Sequence, residues 1–304
     1  MELFLQRTFD GLNNGSVYAL VALALVVVYR GTGHLNFAQG EMALMSTYVA
    51  WVFADKGFPV VIAIAIAMTF AFLLGAGVER ALVRPIAKQS ELAVVIVALG
   101  LFTALNALTQ VFWDPTLTRA FPTPFPNDGS KPLDQRDDFV TIGGAHVFYR
   151  QIGVILALAA LVVLLWAVFQ KTRFGLAMRA VAINSESARL AGIKVSRTLM
   201  ASWGLSGALG ALAGCLIAPS VLLTPQMMFG ILIYASAAAT LGGFDSPVGA
   251  VVGGLIVGLV ESLASGYIGW VGSDLKLLTA VIVILAVLLV RPNGLFGSAK
   301  VERV

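Results

Sequence analysis

Residues 151–219 read QIGVILALAALVVLLWAVFQ, then KTRFGLAMRAVAINSESARLAGIKVSR over 171–197, then TLMASWGLSGALGALAGCLIAP. Each flanking run reaches the roughly 20 apolar residues that carry a helix across a bilayer. The 27-residue island between them holds six Lys/Arg against the single acidic Glu186. A chain written this way crosses a membrane repeatedly and returns to water through basic loops. The whole sequence agrees, with 59% hydrophobic and 12% charged residues and a mean hydropathy of +0.90. A soluble domain is close to excluded. The spans are rich in Gly and Ala and lack the alternation, in stretches of about ten residues, that a membrane barrel requires. The expected fold is an all-α polytopic bundle of about eight or nine transmembrane helices, one domain over 1–304.

Helices are expected near 12–29, 38–54, 58–78, 91–113, 151–170, 198–219, 229–243, 248–266 and 276–290. Asn13 and Asn14 interrupt the first apolar stretch and no cleavage-like site follows, so no cleavable signal peptide is expected. Basic residues stay on the cytoplasmic side. Arg30, then Arg80, Arg84 and Lys88, the six of the island, and Arg291, Lys300 and Arg303 make 13 on one side, against seven on the other. Most of the acids share the side of the seven. The island therefore faces the cytoplasm, the N-terminus lies outside and the C-terminus inside, a parity that needs an odd number of crossings. Residues 229–243, short and ended by Gly242-Gly243, also read as a re-entrant half-helix. An external loop covers 114–150; Pro115, Pro122, Pro124, Pro126 and Pro132 forbid regular helix in its first half, and Thr141–Tyr149 suits a hairpin or cap. The loop is a docking surface or a spacer.

Within the island, Asn184 can cap a short helix Ser185–Ala191, and Gly192 can end it in the left-handed conformation. Leu190, Ile193 and Val195 then form an apolar edge. Two readings stay open: a docking element for a soluble partner, or a connector held at the lipid headgroups by its cations. Helix 198–219 spaces Ser202, Ser206, Gly210, Gly214 and Ala218 by four, and 248–266 repeats the device with Ala250, Gly254, Gly258 and Ser262, beside Gly249 and Gly253. Such stripes let helices approach closely. Glu261 shares the second stripe and so points into the bundle, where a carboxyl marks either a structural hydrogen bond or a hydrated route. In 31–41, Asn36 and Gln39 have a capping-box-like spacing and Glu41 falls where a helix dipole favours negative charge. Gly31, Gly33 and Gly40 suit a gate as well as a plain turn, and a second interrupted region lies at 240–249; paired breaks of this kind often mark a translocation route.

Lone Cys215 excludes an intramolecular disulfide, and His34 and His146 are too far apart in sequence to suggest a metal cluster. The net charge of +4 follows from the loop asymmetry and says nothing of nucleic acid. No GxxxxGK[ST] loop and no nucleophile–base constellation is present, so no catalytic activity, cofactor or metal is expected on the chain. A transport motor driven by ATP would have to be another subunit.

Five blocks carry a resemblance over nearly the whole chain. They are GLNNGSVYALVALALVVVYRGTGHLNFAQGE at 11–41, ERALVRPI at 79–86, TRFGLAMRAVAINSESARLAGI at 172–193, TLGGFDSPVGAVVGGLIVGLVES at 240–262 and VRPNGLFG at 290–297. In this order the chain resembles the integral membrane permease subunit of the branched-chain amino acid ABC importers. The resemblance implies the fold of an ABC importer permease, with 171–197 as the ATPase-coupling loop. Glu186, Ala188 and Gly192 stand where such permeases carry an E-A-A…G-like motif, with Asn184, Arg189 and Ile193 around them; Ser187 departs from the pattern. It further implies a second homologous permease, two cytoplasmic ATPases, a periplasmic substrate-binding protein and the bacterial inner membrane. Asn36, Gln39, Glu41 and Glu261 would then border a route worked by alternating access, with Ser206, Gly210, Gly214, Gly254 and Gly258 packing the helices. The alternatives are an ion-coupled secondary transporter, and a channel for a small neutral solute such as urea or an amide.

Overall fold

Helices buried in an apolar medium have little hydrophobic drive toward each other, so they associate where missing side chains let backbones touch. In the computed structural model, which describes residues 1–86, 91–126, 138–269, 275–291 and 294–297, this contact organises the bundle. The elements are α1 Glu2–Thr32, α2 Gln39–Asp55, α3 Val60–Val78, a π-helical turn Glu79–Val83, α4 Arg84–Ile86, α5 Glu91–Phe112, β1 Phe139–Ile142, β2 Ala145–Phe148, α6 Tyr149–Lys171, α7 Arg173–Ile183, α8 Ser185–Leu190, α9 Val195–Val221, α10 Met227–Gly242, α11 Pro247–Tyr267 and α12 Lys276–Val290. Among the described residues, six helices are long and apolar enough to cross a membrane: α1, α3 continued to Ile86, α5 from Leu92, α6, α9 and α11. Helices α2, α10 and α12 are apolar but shorter, at 17, 16 and 15 residues. Pro132 of the 114–150 loop, and Lys88, Lys131, Arg136, Lys300 and Arg303 of the charge count, lie outside the described residues.

Two compact units divide the chain. The first comprises Met1–Val26, Phe125–Leu158 and Ile231–Val304. Here α11 uses two small-residue faces. Gly254 and Gly258 leave room for α1, whose Gly15 and Ala19 backbone stands where a Cβ would go, while Gly253 and Gly249 meet the carbonyls of Ala238 and Gly242 on α10. The hairpin falls close to its expected place. Strand β1 pairs antiparallel with β2, Phe139 opposite Phe148. Gly143 and Gly144, at φ +60° and +89°, supply the two left-handed residues of a tight turn. Gln6 of α1 accepts from the His146 backbone N–H at 2.9 Å, and Gln151 donates to Asp10 at 2.8 Å. The hairpin is thus fastened to α1.

The second unit comprises Val27–Pro124 and Ala159–Gly230. Its axis is α9, buried along one side from Val195 to Ala218. Gly207 lies on the Ala71 carbonyl of α3, and Gly75 of α3 on the Trp203 carbonyl; Gly210 and Gly214 accommodate the Gln39 and Thr47 side chains of α2. Gly210 and Gly214 of the expected stripe thus meet α2, while α3 is met by Gly207, which lies outside that stripe. The start of the 114–150 loop is anchored here, because Arg119 and Leu223 exchange backbone hydrogen bonds at 3.2 and 2.9 Å. Phe121 sinks among Ala50, Ala63, Ala67, Cys215 and Ala218.

Two expectations need correction. The first helix begins at Glu2 and not near 12, since Asn13 and Asn14 sit inside it and Asn13 donates to Asn14 at 3.3 Å, which leaves the main-chain ladder intact. The island also contains a second helix, α7, started by Thr172, whose hydroxyl accepts from the Gly175 N–H at 3.1 Å. Gly258→Val, which drives a side chain into the Gly11–Gly15 backbone, is expected to destabilise the protein by about 1–3 kcal/mol or more. Gly77→Ala, a site with open space around it, serves as the neutral control in the same detergent melting experiment.

Candidate functional site

The short helix α8 is built from both ends. Asn184 holds an extended backbone (φ −156°), and its Oδ1 accepts from the N–H groups of Glu186 and Ser187 at 3.0 and 2.9 Å. At the other end Gly192 takes φ +83°, its N–H donating to the Arg189 carbonyl while the Ile193 N–H reaches Ala188. Both cap residues stand where the spacing put them. The apolar edge divides. Ala188 is buried with Val181 of α7 and Val195 of α9, with Ile193 partly buried against them. Leu190 is 90% exposed and Ile183 87%. The expectation that Leu190, Ile193 and Val195 share one edge is thus corrected: Val195 and Ile193 seat the helix, and Leu190 stands out beside exposed Glu186 and Arg189. Ala188 faces inward, so it holds the element in place and offers no outer surface.

Asn36 and Gln39 behave differently from a capping box. The residue before α2 is Ala38, which makes no side-chain cap. Asn36 Oδ1 accepts from the Ala38 N–H at 3.1 Å, and its Nδ2 donates to Gln39 Oε1 at 3.2 Å. Gln39 is fully buried and reaches α9, donating to the Ser206 carbonyl at 2.9 Å and accepting from the Ser206 hydroxyl at 2.8 Å. Tertiary bonding has overridden the local one, because a buried amide costs less with three partners than with one.

Glu41 follows Gln39 by two residues, about 200° around the helix, and so faces away from α9. It is buried, and accepts from Asn106 Nδ2 of α5 at 3.0 Å. Asn106 also donates to the Pro225 carbonyl at 3.3 Å and accepts from Gln110 Nε2 at 2.5 Å. Sequence reasoning missed Asn106 and Gln110, although two amides four apart on an apolar helix were a usable signal.

Glu261 belongs to the other unit. It is buried on α11 as expected and accepts from the Tyr18 hydroxyl at 2.7 Å. The Tyr18 ring stacks on Tyr234 at 4.8 Å, so Tyr18 joins α1 to α11 through its hydroxyl and to α10 through its ring. Neither tyrosine was foreseen, since a lone Tyr in a span carries no pattern. The four residues expected at a route or gate therefore enter three separate hydrogen-bond sets. Among the described residues, no group of three or more His, Cys, Asp or Glu is arranged to hold a metal ion.

The chain matches the family model described as branched-chain amino acid transport system / permease component over residues 7–290. It is 31% identical over 315 residues to the high-affinity branched-chain amino acid transport system permease protein LivH of Escherichia coli (strain K12), covering 99% of this chain and 98% of that protein. It is 30% identical over 313 residues to the corresponding protein BraD of Pseudomonas aeruginosa, again covering 99% and 98%. Among solved structures, a chain of PsaBC from Streptococcus pneumoniae in complex with Fab superposes with a TM-score of 0.50 at 15% identity, covering 95% of this chain and 92% of that one. That likeness concerns the fold.

Gln39→Leu, which removes both bonds to Ser206, is expected to cost about 1–3 kcal/mol of stability. Glu41→Gln keeps an acceptor for Asn106 and is expected to change the stability by about 1 kcal/mol or less. Scanning fluorimetry on the purified proteins checks both.

Proposed function

The chain belongs to the permease family of branched-chain amino acid transport systems, and from that premise we propose that it is the membrane-spanning subunit of an ATP-driven importer of leucine, isoleucine, valine or a related small amino acid. The observation that carries the reading is α8, a helix of six residues capped at both ends. Its inner side is seated by Ala188 on α7 and α9, and its outer side offers Leu190, Glu186 and Arg189. An element so rigidly mounted, with an exposed leucine at its tip, suits a groove in a soluble ATPase. Asn184 and Gly192 set its shape, and Ile193 its seat.

In this reading a second, homologous permease completes the pore, two cytoplasmic ATPases supply the work, and a periplasmic binding protein delivers substrate. The membrane is the bacterial inner membrane. The nine crossings are the six long helices with α2, α10 and α12, which puts the N-terminus in the periplasm and the C-terminus in the cytoplasm, as the distribution of basic residues favours. Closure of the ATPase dimer moves α8, and the spans alternate between outward and inward access. Glu41 and Glu261 border the route, while Asn36 and Gln39 hold the start of α2 against α9 as that route opens and closes. A ligand shifts such an equilibrium only by its differential affinity for the two states, so most of the selectivity can reside in the binding protein.

Leu190→Asp puts a charge on an exposed position and leaves the fold intact. The expected result is a permease that no longer co-purifies with its ATPases and transports nothing. Full uptake by this variant, or uptake that persists without ATPases and follows an ion gradient, would sink the reading.

A further inference from the structure

The segment ERALVRPI at 79–86 takes no part in docking or in the passage of substrate as described so far. Its geometry is unusual. Residues five apart on an α-helix lie about 140° from each other, which would aim Glu79 and Arg84 in different directions. Here the helix widens into a π-turn, with the Arg84 N–H donating to the Glu79 carbonyl. The extra residue in that turn brings the two side chains together. Arg84 Nε donates to Glu79 Oε1 at 3.1 Å and Nη2 to Oε2, a two-point fork on one carboxylate. Glu79 is 2% exposed, and Arg84 reaches the surface at 37%.

The same Nη2 makes a further bond, to the Ser196 carbonyl at 3.0 Å. Ser196 is the second residue of α9 and follows Val195, the residue on which Ala188 of α8 is seated. On the far side of the turn, Val78 and Val83 pack with Trp203 of α9, and Gly75 lies against the Trp203 backbone. A continuous set of contacts therefore runs from α8 through the first turn of α9 to Arg84, Glu79 and α3. A π-turn is a suitable joint, because its conversion to an α-turn shifts everything beyond it by one residue.

We propose that Arg84 is a positioning residue for transport, a strut that carries the displacement of α8 from the start of α9 into α3 through the Glu79–Val83 turn. This rests on the docking role assigned to α8. The test uses the complete transporter in proteoliposomes, measuring ATPase co-purification, ATP hydrolysis with and without loaded binding protein, and uptake. For Arg84→Ala the expected complex assembles and hydrolyses ATP, but uptake per ATP falls by about tenfold, and hydrolysis stops responding to the binding protein. Arg84→Lys restores a cation with donors and is expected to recover part of that ratio, a rescue that a packing defect would not give. An assembled Arg84→Ala complex with unchanged uptake per ATP overturns the proposal. If that variant does not assemble, Glu79→Gln decides, since it keeps the volume and leaves Arg84 on Ser196; an intermediate ratio supports the strut and a parental ratio overturns it. Leu190→Asp separates the two ideas. ATPases that stay bound to it sink the docking role itself, whereas ATPases lost there and a parental ratio in Arg84→Ala sink the strut alone.

Discussion

A helix cannot approach another inside hydrocarbon through the hydrophobic effect alone, since lipid is as apolar as leucine. What remains is contact between main chains, and it demands positions with no side chain. Gly254 and Gly258 against α1, Gly253 against Ala238, and Gly75 and Gly207 across the α3–α9 seam are those positions. Everything else in the bundle presupposes them. The hydrogen bonds of Gln39 to Ser206 and of Tyr18 to Glu261 form because the helices already lie that close.

Once helices touch, polar side chains between them are committed. A buried carboxylate or amide must find partners, and each found a different set: Glu41 the amide of Asn106, Glu261 the phenol of Tyr18, Glu79 the guanidinium of Arg84. These sets hold separate groups of helices, so a disturbance at one acts first on its own neighbours. Helix α8 follows the same rule: its outer face stands exposed while Ala188 and Val195 secure the inner one.

Much of this could be read from the sequence, and the reasons for the failures are specific. The small-residue stripes were visible because a repeat of four is a helix face. The ends of α8 were visible because Asn184 and Gly192 act locally, through their own backbone. The hairpin was expected within Thr141–Tyr149, and the structure puts its turn at Gly143-Gly144. What stayed hidden depends on partners far along the chain. Gln39 has the spacing of a cap, yet bonds to a residue 167 positions away. Asn106, Tyr18 and Tyr234 gain meaning only when another helix arrives. The π-turn is hidden for a related reason: no pattern in ERALVRPI announces an inserted residue, and only the positions of Glu79 and Arg84 in space reveal it.

The separation of Gln39 from Ser206 has a consequence for biogenesis. Gln39, fully buried at the start of α2, meets its Ser206 partner only once α9 exists, whereas the Asn36 amide beside it bonds locally to Ala38 and Gln39. At a synthesis rate of about 5–20 residues per second, the intervening 167 residues take on the order of ten seconds or more to emerge. During that wait the Gln39 amide of the nascent α2 lacks its α9 partner, an unsatisfied polar group that an apolar surrounding makes costly. Packing is therefore completed out of chain order: α2 waits for α9, and Tyr18 of α1 waits longer still, for Glu261 of α11.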